Sequence, residues 1–491
     1  MFSLTCSASH CEVRCPAVFG DHMVLQRERA VPVWGDANPG EHVTVKFGGE
    51  EKSAVADSAG HWRTELAPLV ASAEARTLTV SGAENSVQFR DVLVGEVWFC
   101  SGQSNMEKPL GPRKGQKPTD GYEEELARAA CPTLRIFQMP ASGKAKPESA
   151  LMRWWSCDAA ALTNTKFSAA AYYFGREITH ELGVPVGLIH SSYGGTRIEA
   201  WMPHAAFASD PALQGLEDER YDAWVKGVQA TELYNTMVAP FVPFALRGFL
   251  WYQGEANCMN AEGAVYAAKQ RAMISSWRAA WGEPAAPFYY ALLAPFAYSH
   301  QKNWVKQLTP EALPVFWEAQ IAALDVPHSG IITTTDIAGS GRDIHPTNKR
   351  DVGLRFARIA LADTYGRRDL AREAFAPRFV SMKPVSTANS AEAIELTFEH
   401  ADGLRSRDGA ALSEFTIAGE DHQFYPAVAS IIDGGKVIVS SPDVSHPVAV
   451  RLGWNELANP KLVNSGGLPA LPFRTDGRKA KAEGGRLKGE G

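Results

Sequence analysis

Residues 92–110 read VLVGEVWFCSGQSNMEKPL, and how this stretch is read decides the fold. Val92 to Cys100 is largely apolar and rich in valine and aromatic side chains, the composition of a strand buried on both faces. The chain then turns polar at SGQSN, where Ser104 stands between Gln103 and Asn105 with no charged residue among the five. Serines and glycines after a strand are commonly only turn formers. The other reading is that Ser104 is displayed at the end of a sheet to do chemistry, and the remainder of the chain has to decide between them.

From about residue 91 onward, apolar strands alternate with helical patterns. VLVGEVWFC is followed by helix candidates at 121–130 and 168–182, then by VPVGLIHSS, FALRGFLWYQGEAN, PFYYALLAP and SGIITTTDIA, with a helical pattern over 262–281. Nearly continuous apolar strands separated by helices predict an α/β domain whose parallel sheet is covered on both faces. The segment NKRDVGLRFARIALADTYG spaces Val352, Phe356, Ile359 and Ala360 by three and four and ends on glycine, which predicts a last helix. Residues 16–90 differ: VPVWG, HVTVKFGG, HWRTEL, TLTVSG and SVQFRDV are short alternating runs broken by Gly, Pro and Asn, the pattern of a β-sandwich or barrel. Alternation returns after 373 in AIELTFEH, EFTIAG, KVIVSSP and VAVRLGW. The expected organisation is a β region over 1–90, a catalytic α/β domain over 91–372, a β-rich domain over 373–476 and a polar tail over 477–491.

The totals narrow the function. A chain of 491 residues with 45% hydrophobic and 21% charged residues has the composition of a globular enzyme. A formal charge of -6 argues against nucleic acid, which wants a basic face, and no run reaches the roughly 20 apolar residues of a membrane span. The seven cysteines form no CxxC, which leaves a zinc site without support. The opening MFSLTCSASHCEVRCP lacks the basic start and apolar core of a signal peptide, so the sequence leaves the compartment open.

In open parallel sheets ligands bind outside the C-terminal strand ends. Four polar clusters follow predicted strands: GQSN, HSSYGGT, YQGEAN and GRDIHP. A serine hydroxyl needs a base, and the base needs an orienting group. His345 is the best candidate base, and Asp343, two residues earlier, is its nearest carboxylate. The Ser104 amide, a backbone N–H of Gly194 or Gly195, and the Gln253 side-chain amide are candidate donors to an oxyanion. The GxSxG elbow is absent, because Gly102 is followed at position 106 by Met.

As a set, GQSNM, SSYGGTRIEAW, WYQGEAN and DIHPTNK, in this order and spacing, resemble the sialate O-acetylesterase family within the SGNH (GDSL-like) hydrolases, close to acetylxylan esterases. PAVFGDHMVLQRERAVPVWG, LYNTMVAPFVPFALRG and NSGGLPALPFRTD extend the resemblance over roughly residues 15–476. It implies a flavodoxin-like three-layer α/β/α domain with β-sandwich attachments that removes acetyl groups from carbohydrate, with neither metal nor other cofactor. It also implies a periplasmic or secreted protein. Carried onto this chain, Ser104 is the nucleophile, His345 the general base and then acid, and Gln253 the amide donor that many SGNH enzymes take from asparagine. The superfamily often has its acid three residues before the histidine, where this chain has Arg342. Asp343 is therefore the first choice of acid, with Glu255 of the QGE motif and Asp336 as rivals. An acetylxylan esterase and a non-catalytic carbohydrate-binding protein are the alternatives.

Duller assignments stand beside these. Asp443 and His446 in DVSHP sit between alternating strands and read as a surface turn. His190 reads as a packing or hydrogen-bonding residue, and Arg197 and Glu199 either touch sugar or tie down their loop. Trp154, Trp155, Trp201 and Trp251 are not assigned to substrate, since most tryptophans pack. Cys100 reads as an inert buried thiol.

Overall fold

The stretch at 92–110 opens within one strand of 17 residues, β1 (Ser86–Gly102). Its two halves follow different rules. From Ser86 to Asp91 exposure alternates, and this half pairs antiparallel with the strand Ser72–Ser81. From Val92 to Gly102 every residue is buried, and Trp98–Gly102 runs between two parallel neighbours. Residue 91, the expected domain boundary, thus lies inside a strand shared by the N-terminal β region and the central sheet.

The computed structural model describes residues 12–140, 151–218, 228–301, 306–386, 392–432 and 434–477. The N-terminal Cys6 and Cys11, and all of the predicted tail except Gly477, lie outside the described residues. The chain divides into two compact units, Met1–Ala374 and Phe375–Gly491.

In the first unit β1 is joined by β2 (Cys131–Gln138), β3 (Trp154–Cys157), β4 (Val186–Ser192), β5 (Gly248–Tyr252), β6 (Phe288–Ala291) and β7 (Ser329–Ile332). Their order across the sheet is β7-β6-β5-β1-β4-β2-β3. Neighbours are parallel except β2 and β3, so the sheet is mixed. Consecutive strand residues point to opposite faces, and Trp98 and Phe99 show what covers each. The Trp98 ring lies 5.1 Å from Phe174 of α2 (Ala169–Leu182), while the Phe99 ring lies 5.6 Å from Trp277 of α4 (Gly263–Trp281). Both residues are fully buried, and truncating such an aromatic to alanine typically costs about 3–5 kcal/mol. The short helices α1 (Ser104–Glu107) and α3 (Glu255–Met259) follow β1 and β5, and α5 (Lys349–Ile359) follows β7 after a long loop.

The second unit is antiparallel throughout its two four-stranded sheets. Alternate residues of their strands, Ile394 and Leu396, Val437 and Val439, Val450 and Leu452, fill its core. Among the described residues, no helix is long and apolar enough to cross a membrane.

Candidate active site

Gly102 ends β1 level with Ser192 of β4 and Tyr252 of β5, so three loops leave the sheet side by side. Its φ of 144° lies where side chains are strained, and a Cβ there would meet the Tyr252 carbonyl oxygen at 2.2 Å. Only glycine lets the chain turn this tightly. Gln103 remains extended and caps α1, whose first residue is Ser104. The Gln103 side-chain oxygen accepts the N–H groups of Gly254 and Ala256, each at 3.3 Å, and so joins the GQSN loop to the QGEAN loop.

Ser104, Gly194, Gly195, Ile344 and His345 line one cavity of about 300 Å³. GQSN, SYGGT and DIHP therefore meet, as their positions at strand ends predict. Gly194 approaches closely: a Cβ on it would lie 3.2 Å from that of Ser104. Its N–H, however, donates to Glu107 Oε2 at 3.0 Å, which removes Gly194 from the oxyanion donors. The N–H groups of Ser104 and Gly195 have no acceptor among the described residues.

Gln253 is the second correction. It is fully buried, and both hydrogens of its amide are committed, to Thr196 O at 3.0 Å and Asn257 Oδ1 at 2.7 Å. Its oxygen accepts from Tyr266 at 2.7 Å. An amide saturated within the fold has nothing left for an oxyanion. Asp336 is the third. It forms a two-pronged pair with Arg355, at 2.8 and 2.7 Å, and lies outside the contest for His345.

His345 sits in the loop before α5, which begins where Asn348 caps the Asp351 N–H at 3.0 Å. Its Nδ1 is 3.8 Å from Asp343 Oδ1, an ion-pair separation too long for a hydrogen bond. The same carboxylate oxygen accepts the backbone N–H of His345 at 2.9 Å and so fixes the bend. Burial pushes the imidazole pKa down to about 4, helped by Lys349, Lys108 and Arg113 and opposed by Asp343. At neutral pH His345 is uncharged and able to accept a proton.

Glu255 is buried and accepts from the Asn105 side chain, not from His345. Asn105 Nδ2 also donates to Ile344 O at 2.9 Å, and its Oδ1 accepts from the Lys349 ammonium at 2.6 Å. One amide thereby clamps the GQSN loop, the QGEAN loop and the residue preceding His345. Burial pushes the Glu255 carboxyl above its usual range and Lys349 down to about 7. Sequence reading missed this clamp, and it also missed Glu107, Arg113 and Gln116 in the cavity wall. The signal for Asn105 was its place beside Ser104; none marked the other three.

Arg197 and Glu199 tie down their loop. Arg197 pairs with Glu199 at 2.8 Å and with Glu262; Lys269 pairs with Glu199 and with Glu262, the latter at 2.7 Å, and Asn257 donates to Glu199 at 2.9 Å. His190 is buried and bonded to Gln138 Oε1 at 2.8 Å, with its pKa pushed down to about 3 by burial. Cys100 is buried and burial raises its thiol pKa, while Trp154, Trp201 and Trp251 are core residues. Trp155 is half-buried beneath Arg153, 3.8 Å away. His446, 78% exposed, pairs with Glu392 at 3.1 Å. Among the described residues, no group of three or more His, Cys, Asp or Glu is arranged to hold a metal ion.

The family model for carbohydrate esterases described as sialic acid-specific acetylesterase matches residues 94–362, from the second half of β1 through α5. Human sialate O-acetylesterase is 27% identical over 401 residues, 75% of this chain and 74% of that protein. The rat sialate O-acetylesterase is 24% identical over 500 residues, covering 90% and 89%. The crystal structure of a carbohydrate acetylesterase from Xanthomonas citri superposes with a TM-score of 0.82 at 35% identity, covering 95% of this chain and 100% of that one. A serine and a neutral histidine in one cavity at strand ends, within the span that the family model matches, leave one conclusion: the chain belongs to the sialic acid-specific acetylesterase family of carbohydrate esterases.

Proposed function

We propose that the protein releases acetate from O-acetylated sialic acids through a Ser104–His345–Asp343 triad. The observation that carries this reading is the shared cavity of Ser104 and His345, with the unengaged N–H groups of Ser104 and Gly195 at its wall. His345, neutral at pH 7, takes the Ser104 proton as the hydroxyl oxygen attacks the acetyl carbonyl. The Ser104 and Gly195 N–H groups bind the resulting oxyanion, and losing one such donor typically costs about 3–4 kcal/mol. The protonated imidazole then gives its proton to the departing sugar hydroxyl, leaving acetyl-Ser104. Water, deprotonated by His345, releases acetate and restores the serine. Asp343 stabilises the imidazolium from the Nδ1 side, closing from 3.8 Å as charge develops. The supporting scaffold is a flavodoxin-like core, since β4-β1-β5-β6-β7 run in the order 2-1-3-4-5 once β2 and β3 are set aside as an edge addition.

Two measurements test this. Ser104→Ala is expected to fold normally and lose several orders of magnitude in kcat; near-normal acetate release from that variant rules out the covalent route. Acetate release from acetylated sialic acid, acetylxylan and 4-nitrophenyl acetate, assayed in parallel, tests the substrate. Fastest turnover of acetylxylan assigns the enzyme to plant polysaccharide, and no acetate from any of the three makes it a binding protein.

A further inference from the structure

The acyl-transfer steps leave part of the cavity wall unused. A tight turn, closed by the Gln116 N–H on Arg113 O at 3.1 Å, brings the side chains of Arg113 and Gln116 to the cavity that holds Ser104 and His345. A guanidinium offers five N–H donors. Arg113 places one on Glu107 Oε1 at 2.9 Å, and its side chain is 31% exposed, reachable by a ligand. Glu107 has its other oxygen on the Gly194 N–H, so both its carboxylate oxygens are engaged inside the wall. Gln116 presents the complementary chemistry: its side-chain oxygen is buried and accepts no hydrogen bond. An unsatisfied buried acceptor is unfavourable, and rotation of the half-buried Gln116 side chain toward the cavity would let an N–H or O–H on a ligand satisfy it. Lys108 and Lys349 add positive charge around the same imidazole, against Asp343.

We propose that the Arg113–Gln116 turn is the specificity element of this esterase, with Arg113 pairing with a carboxylate on the sugar and Gln116 accepting from a neighbouring N–H or hydroxyl. The enzyme then selects acetyl esters of acidic sugars over neutral ones. This rests on the sialate reading above and assigns the residues that enforce it.

The test compares kcat/KM for acetate release from an O-acetylated sialic acid, from its uncharged 1-carboxamide, and from 4-nitrophenyl acetate, using the full chain and its Arg113→Gln, Arg113→Lys and Gln116→Leu variants. A charge-assisted hydrogen bond supports a preference of about tenfold to a hundredfold for the charged ester in the unmodified enzyme. Arg113→Gln is expected to erase that preference through a raised KM, with a much smaller loss on 4-nitrophenyl acetate. Arg113→Lys is expected to retain part of the preference, because it keeps the charge and loses the planar fork. Gln116→Leu is expected to raise KM for the acid and the carboxamide alike. If the unmodified enzyme prefers the charged ester and Arg113→Gln keeps the preference, or loses equally on all three esters, the inference falls and the sialate reading stands. An unmodified enzyme that turns over the acid and the carboxamide equally well overturns the inference alone, whereas one that releases no acetate from either sinks the sialate reading with it.

Discussion

The imidazole of His345 has two neighbours of opposite effect, a dry wall with three cations and one carboxylate, and the wall wins. The consequence is a displaced acid limb. Catalysis needs the neutral ring, and a pKa of about 4 keeps it neutral down to about one pH unit above that value. The kcat/KM profile is therefore expected to hold from neutrality to about pH 5 and to halve near pH 4. An ordinary histidine would halve it near 6.5; a limb at that pH refutes the buried, cation-flanked base. The choice of acid is tested by the side chains themselves. Asp343→Asn is expected to reduce kcat by about 100-fold or more, since among the described residues it removes the only carboxylate oxygen within 4 Å of a ring nitrogen of His345. Glu255→Gln, whose hydrogen bond goes to Asn105, is expected to stay within roughly tenfold of the parent. The reverse order of losses would transfer the role to Glu255. That Ser104 and His345 would share one cavity was legible because each follows a strand of the same sheet, and the roles proposed for them follow from residue type. Gln253 and Asp336 were not, because availability depends on competitors far away in sequence: Tyr266, Thr196 and Asn257 saturate the one, and Arg355 holds the other.

At the scale of elements, the strand–helix alternation after residue 91 was legible because a doubly buried strand must be apolar throughout, and each crossover helix carries its own period. The limit of the N-terminal region was not. The pattern changes from alternating to continuous at Val92, yet Val92 and Val94 still pair with the N-terminal strand Ser72–Ser81 and the central sheet takes over only from Glu96, so the backbone of β1 passes from one region to the other without a break. The end of that strand bears a prediction. Gly102→Ala must both adopt a positive φ and push against the Tyr252 carbonyl, whereas Gly40→Ala, at φ 78°, meets nothing within 4 Å. The Gly40 change is expected to cost about 1–2 kcal/mol. The Gly102 change is expected to cost clearly more and to abolish esterase activity by displacing Gln103 and Ser104. Urea unfolding of the two variants with activity assays checks this; equal costs, or an active Gly102→Ala enzyme, would show that the strand end tolerates a side chain.

For the molecule as a whole, the buried histidines link folding to pH. His345 and His190 have folded-state pKa values of about 4 and about 3, below the roughly 6.5 of an unfolded histidine. Below pH 6.5 the unfolded chain therefore binds protons that the folded chain refuses, and stability falls as pH falls. The loss is at most about 1.4 kcal/mol per pH unit for each histidine, ending near pH 4 for the first and near pH 3 for the second. His190 isolates the effect because it lies outside the cavity lining, bonded to Gln138. With Gln138 Oε1 as acceptor its Nδ1 carries the hydrogen, and asparagine places an amide N–H in nearly the same position. His190→Asn is thus expected to flatten the decline of unfolding free energy between pH 6.5 and 4.5 while leaving the acid limb of kcat/KM in place. Every tryptophan but Trp454 lies in the first compact unit, so fluorescence in a urea series reports largely on the unit that carries both histidines. An unchanged slope would mean that His190 is protonated in the folded chain, and the orphaned Nε2 that the structure gives it would then need a partner. A shifted acid limb would instead couple that ring to His345, through the parallel pairing that sets His190 beside Cys100, four residues before Ser104.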